Sequence, residues 1–244
     1  MNTLDFHHFW QQGDAVTHTI AIILLIMSLL SWSTILLKGI QLYTLNKSVG
    51  YSRQRFWQAG SLQEGANGFS SGSFDPFRHL VVEGDALLKH PHKFASTLGG
   101  HVDLSDWLVR GLSHALDTGS SRLQSGLGTL ASVGSTAPFI GLLGTVWGIF
   151  HALQTISAIG QPDISQVAGP VGEALIMTAF GLFVAIPAVL GYNAINRRNR
   201  LIHQALTRFA HDLHAWLLTG ARVESGQSEW SAAPASRPVI ERSA

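Results

Sequence analysis

Three stretches of the chain stay apolar for longer than a helix of a soluble domain requires. Ala15 to Leu37 is 23 residues without Asp, Glu, Lys or Arg, and Ala174 to Asn196 is another 23. Leu123 to Pro162 is 40 such residues, most apolar between about Leu130 and Ile159. At 1.5 Å per residue each covers the roughly 30 Å hydrocarbon core of a bilayer. Between the first two, from about Gly39 to Gly126, amphipathic helical spacing alternates with breaks such as GANGFSSGSFDP, where Asp75 followed by Pro76 predicts an N-cap and a first-turn proline. A further helix is predicted to begin at Asp103 and to run through DLSDWLVRGLSHALDTGSSRLQSGL into the second apolar stretch. After the third, NRRNRLIHQALTRFAHDLHAWLL keeps helical spacing to about Leu218, and the rest, rich in Ser, Ala, Pro and charge, reads as disordered. No strand alternation and no fixed-period repeat is present. The predicted fold is all-α, with spans over 15–37, 129–156 and 169–194. Outside them lie an N-terminal segment over 1–14, a helical segment over 38–128, a short loop over 157–168, a helix over 195–219 and a disordered tail over 220–244.

Composition agrees: 46% of residues are hydrophobic and 13% charged, against about 25% charged in soluble domains. All sixteen Lys and Arg fall in two places, nine from Lys38 to Arg122 and seven from Arg197 to Arg242. By the positive-inside rule this predicts an outside N-terminus and 160–168 connection, with the long middle segment and the C-terminus inside. The first eighteen residues hold no Lys or Arg, so the first span lacks the basic flank of a cleaved signal peptide and is expected to stay as an anchor. The absence of cysteine excludes disulfides, Cys-ligated zinc and thiol catalysis.

The spans differ in kind. The first, with IAIILLIMSLLSW at its middle, is bulky throughout, as a lipid-facing helix should be. In the second, Gly134, Pro138, Gly141, Thr145, Gly148 and Ala152 recur at alternating steps of four and three. In the third, Ala174, Thr178, Gly181, Ala185 and Ala188 do the same, with Pro187 beside them. Small residues let helix backbones approach closely in lipid, so two packed faces explain much of the pattern. They leave unexplained why each stripe carries a hydroxyl and why Glu173 lies next to them.

If the second and third spans form an antiparallel hairpin about the loop GQPDIS, Thr145 and Thr178 fall in one layer, and Glu173 lies five residues, roughly 7.5 Å, nearer the outside. Threonine hydroxyls both donate and accept hydrogen bonds, so such a layer can pass a proton or hydrate an ion. Glu173 admits two readings, a helix-end charge behind Pro170 or a functional intramembrane acid. His151, at nearly the depth of Glu173, is either an interfacial side chain or a relay partner, depending on the hand of the hairpin.

STAPFIGLLGTVWGIFHAL over 135–153 and AGPVGEALIMTAFGLFVAIPAVLGYN over 168–193 resemble the paired signature of the ExbB, TolQ and MotA superfamily of proton-driven motor subunits, and FAHDLH over 209–214 is similar to ExbB chains. The resemblance covers roughly the C-terminal 90 residues strongly and the three-span plan throughout, while the middle segment matches only in length and helical character. It implies a pentamer in the bacterial inner membrane around a pore that holds helices of a second subunit, ExbD, whose membrane aspartate takes and releases protons. A third protein, TonB, would carry the work to outer-membrane receptors for iron chelates, haem or cobalamin. A TolQ-like role in the Tol-Pal envelope system is the alternative within the family. Carried onto this chain, the resemblance implies that Thr145 and Thr178 line the pore and that Glu173 matters for activity. It implies no cofactor.

Other classes find little support. There is no GxSxG, no HExxH and no cysteine for hydrolysis, and GLGTLA over 126–131 opens a membrane helix instead of following a strand. HDLH over 211–214 reads as a solvated helix face and not a metal site. RRNR over 197–200 abuts a span and reads as a topology and anionic-lipid anchor, not a nucleic-acid site. A stand-alone channel is the remaining rival, and it would conduct without a partner.

Overall fold

The computed structural model describes residues 14–69, 74–89, 103–159 and 164–220. The predicted N-terminal segment up to residue 13, the middle of the 157–168 loop at 160–163 and the tail from 221 onward lie outside them. The described residues form α1 (Ala15–Phe56), α2 (Leu62–Asn67), α3 (Pro76–Lys89), α4 (Leu104–Gln124), α5 (Leu127–Ile159) and α6 (Ile164–Thr219). Among the described residues three helical stretches are long and apolar enough to cross a membrane. They belong to α1, to α5 and to the first half of α6.

α5 and α6 are antiparallel along most of α5, and α1 packs against both. The contacts set the register. Gly134 meets Val189, Gly141 meets Met177 to Gly181, Gly144 meets Met177, and Gly148 meets Ala174. α1 runs alongside, with Ile20 against Gly144 and Ile35 against Gly191. Asp14 caps α1, its carboxylate accepting from Ala15 N–H at 2.6 Å. The same carboxylate accepts from Trp147 Nε1 at 3.2 Å, which ties the start of α1 to α5.

Beyond Lys38 α1 and the second half of α6 enter a second, extramembrane bundle with α2, α3 and α4. Its core is formed by Phe56, Phe69, Phe77, Leu80, Val81, Leu112, Leu206, Phe209 and Leu213. Phe209 lies at its centre, with ring centroids 5.2 Å from Phe56 and 5.5 Å from Phe77. Asp75 begins α3: its Oδ1 accepts from Phe77 N–H at 2.9 Å and its carbonyl from His79 N–H at 3.1 Å.

The helix expected to run unbroken from Asp103 into the second span is instead interrupted. Ser125 leaves helical geometry with ψ 138°, and Gly126 adopts φ +81°. A residue with a Cβ is strained in that left-handed region, and glycine there is how helices commonly end. Side chains from two other helices hold the break. Lys38 Nζ donates to Arg122 O at 3.2 Å, Leu123 O at 3.3 Å and Ser125 Oγ at 3.2 Å. Asn199 Nδ2 donates to Leu123 O at 2.9 Å. The final carbonyls of α4 thereby find partners at the membrane edge, where an unpartnered carbonyl is costly.

Candidate functional site

The seam between α5 and α6 is built from backbone. A Cβ on Gly141 would come within 2.7 Å of Met177 O, and one on Gly181 within 2.7 Å of Ala137 O. Gly134, Gly148, Ala174 and Ala185 also lie in or beside this seam, and Ala174 and Ala185 are buried. Pro138 lies inside α5 and Pro187 inside α6, both partly covered. Two residues outside the predicted stripe matter as much: Gly144 faces both Met177 and Ile20, and Ala137 is wholly buried. The spacing 137, 141, 144, 148 carried that signal, and it shares Gly141 and Gly148 with the stripe read through Pro138 and Thr145.

The register puts Thr145 opposite the stretch just before Thr178. The two threonines are separated by a residue or two in depth, roughly 3 Å of height. Their environments differ. Thr145 is buried, and its hydroxyl donates to Leu142 O of its own helix at 2.7 Å, which leaves oxygen lone pairs as acceptors. Thr178 is half-buried.

Glu173 is half-buried beside Ala174, facing the level of Gly148. One residue before Gly148, Trp147 reaches Asp14, the residue that begins α1. Glu173 therefore lies within about one helical turn of the level at which the first apolar span starts. A carboxylate there keeps part of its hydration and avoids the cost of roughly 3 kcal/mol attached to the bilayer centre. His151 is exposed on α5, about one turn beyond Gly148. Among the described residues no group of three or more His, Cys, Asp or Glu is arranged to hold a metal ion.

Sequence reasoning missed the polar ties at both ends of the apolar layer, Asp14 to Trp147 and Lys38 and Asn199 to the end of α4. The first charge after a span and an asparagine embedded in an arginine cluster were the available signals. Their partners lie 76 to 133 residues away in the chain.

The MotA/TolQ/ExbB proton channel family matches over residues 93–208. The chain is 40% identical over 216 residues to the biopolymer transport protein ExbB of Xanthomonas campestris pv. campestris, a match covering 86% of this chain and 85% of that one. It is 39% identical over 210 residues to the protein of the same name in Neisseria meningitidis, covering 86% and 95%. The Tol-Pal system protein TolQ of Pseudomonas aeruginosa is 31% identical over 226 residues, covering 88% and 95%.

Proposed function

Since this chain belongs to the MotA/TolQ/ExbB proton channel family, we propose that it is an ExbB-type subunit, which couples proton movement across the inner membrane to TonB-dependent transport. The observation that carries this reading is identity of 40% to an ExbB over 86% of the chain, against 31% to a TolQ over a similar length. The protein works as a channel and motor component, not as an enzyme.

In this reading several copies, five by the family resemblance, surround membrane helices of ExbD. The N-terminus and the α5–α6 turn face the periplasm, and the basic extramembrane bundle faces the cytoplasm, in keeping with the distribution of Lys and Arg. Glu173 stands at the outer mouth of the proton path. Thr178 and Thr145 form a hydroxyl layer about 7.5 Å further in. His151, at nearly the depth of Glu173, is the candidate relay. One charge crossing a potential of 100 mV releases about 2.3 kcal/mol, so several protons per cycle supply enough for conformational work.

The test is growth on a scarce iron chelate, measured with the membrane abundance of the complex, for Glu173→Gln, Thr145→Val, Thr178→Val and Thr155→Val. The first three are expected to abolish energised uptake at normal abundance, because each removes a group that exchanges protons or hydrogen bonds while nearly keeping its shape. Thr155→Val, near the outer loop and about ten residues beyond the hydroxyl layer at Thr145, should grow normally. Because α6 begins at Ile164, Pro170 and Glu173 lie inside it and Glu173 is not a helix-end charge; normal growth of the Glu173→Gln strain at normal abundance would remove it from the proton path. Rescue of envelope integrity in place of chelate uptake reassigns the chain to a TolQ role.

A further inference from the structure

A cavity of about 210 Å³ lies between the end of α4 and the α6 segment that leaves the membrane. Beside Leu123, polar residues line it from both helices: Ser120 and Gln124 from α4, and Asn196, Asn199, Arg200 and His203 among those from α6. None of the described residues that line it is a carboxylate. Its volume is far above the roughly 10–15 Å³ that one water needs.

Asn199 is 4% exposed, and its Nδ2 donates to Leu123 O, which fixes the orientation of the amide. Its Oδ1 is buried without a partner. A buried carbonyl oxygen left unpaired is unfavourable, and the cavity that Asn199 lines is the space from which a donor can come. Arg200 and His203 meanwhile offer donors, one of them permanently charged, to an anion. A ligand that satisfies both demands carries an anionic group and a hydroxyl or ammonium donor on the same fragment.

Depth narrows the choice. Ile35 faces Gly191, so Lys38, the first charge after the α1 span, is level with about Ala194. Asn199 lies five residues further along α6, roughly 7.5 Å beyond the apolar layer. Headgroups occupy roughly 5–8 Å on each side of the hydrocarbon core, so the cavity lies at the height of phospholipid phosphates.

We propose that this cavity binds the phosphate headgroup of a membrane phospholipid bearing a hydroxyl or ammonium donor, with Arg200 and His203 on the phosphate and Asn199 Oδ1 accepting from the donor. Such a lipid would bridge α4 and α6 where the membrane and extramembrane bundles join.

The intact complex, purified in detergent, is delipidated and offered dioleoyl-phosphatidylglycerol, -phosphatidylethanolamine or -phosphatidylcholine, and retained lipid is read by native mass spectrometry. The first two should be retained by the wild type and choline lipid retained poorly, since its headgroup has no donor. Arg200→Gln should reduce retention about tenfold, the loss of one charge-assisted contact. Arg197→Gln, an exposed arginine outside the lining, should change it little. Equal losses in the two variants would show a diffuse basic band and overturn the proposal, as would equal retention of choline lipid. Inorganic phosphate at 10 mM is the last arm, a probe concentration on the order of that needed to saturate a millimolar site. Displacement of the lipid by it, dependent on Arg200, would overturn the lipid assignment in favour of a free-phosphate site.

Discussion

α6 runs through two interfaces built on opposite rules. In the membrane its seam with α5 is glycine and alanine, and Gly141 and Gly181 bring the two backbones into direct contact. Beyond the membrane the same helix presents Leu206, Phe209 and Leu213 to the large side chains of α1, α3 and α4. The difference follows from the solvent. In lipid, burying Leu or Phe against another helix gains little, because the tails are equally apolar, so association depends on close backbone packing. In water each large apolar side chain removed from solvent contributes roughly 1.5–3 kcal/mol, so aromatic rings are the more effective filling. The bulky residues of the membrane segments accordingly point outward: Leu25 is 60% exposed, Phe139 70% and Phe183 69%.

This contrast can be broken at either end. The largest effect is expected from Gly141→Leu. The neighbouring atom is a backbone carbonyl that cannot move aside, so overpacking should exceed the usual cost of roughly 1–3 kcal/mol and prevent the hairpin from closing. Native mass spectrometry should find no intact complex. Retention of the wild-type assembly would mean that the seam is not the site of packing.

Phe209→Ala comes next. It removes the ring at the centre of the extramembrane core and should cost about 3–5 kcal/mol. Hydrogen exchange should accelerate in α3, α4 and the end of α6 while residues 127–159 keep their protection. Faster exchange throughout would show that the two bundles unfold as one unit.

Gly126→Ala probes the joint between the bundles. Its φ of +81° strains any residue with a Cβ by roughly 1–2 kcal/mol. Thermal unfolding in detergent should fall modestly, with local loss of protection around Arg122 to Leu127. An unchanged melting curve would mean that the α4–α5 break relaxes into a continuous helix, as periodicity alone suggests. The smallest effect belongs to Leu25→Ala, which removes a side chain facing outward from α1 and should stay within about 0.5 kcal/mol. Destabilisation equal to that of Gly141→Leu would place Leu25 in an interface between subunits.

Three long apolar helices and the helical character of the remainder were legible from the chain alone, because a bilayer leaves few alternatives to a long apolar helix. The hydroxyl pair Thr145 and Thr178 could be placed at one depth for the same reason, since an antiparallel hairpin with a short turn has a register fixed by counting residues. What tertiary structure decided was rotation and junctions. Counting residues does not say how wide the packed face of a helix is, and packing added Ala137 and Gly144 to the stripe that runs through Gly134, Gly141, Thr145 and Gly148. Helical periodicity passes through Ser125 and Gly126 without a signal strong enough to mark a break. The break exists because Lys38 of α1 and Asn199 of α6 reach the last carbonyls of α4 across 76 to 87 positions of sequence. Local propensity is a property of neighbours in the chain, whereas satisfying a carbonyl at the membrane edge is a property of whichever helices meet there.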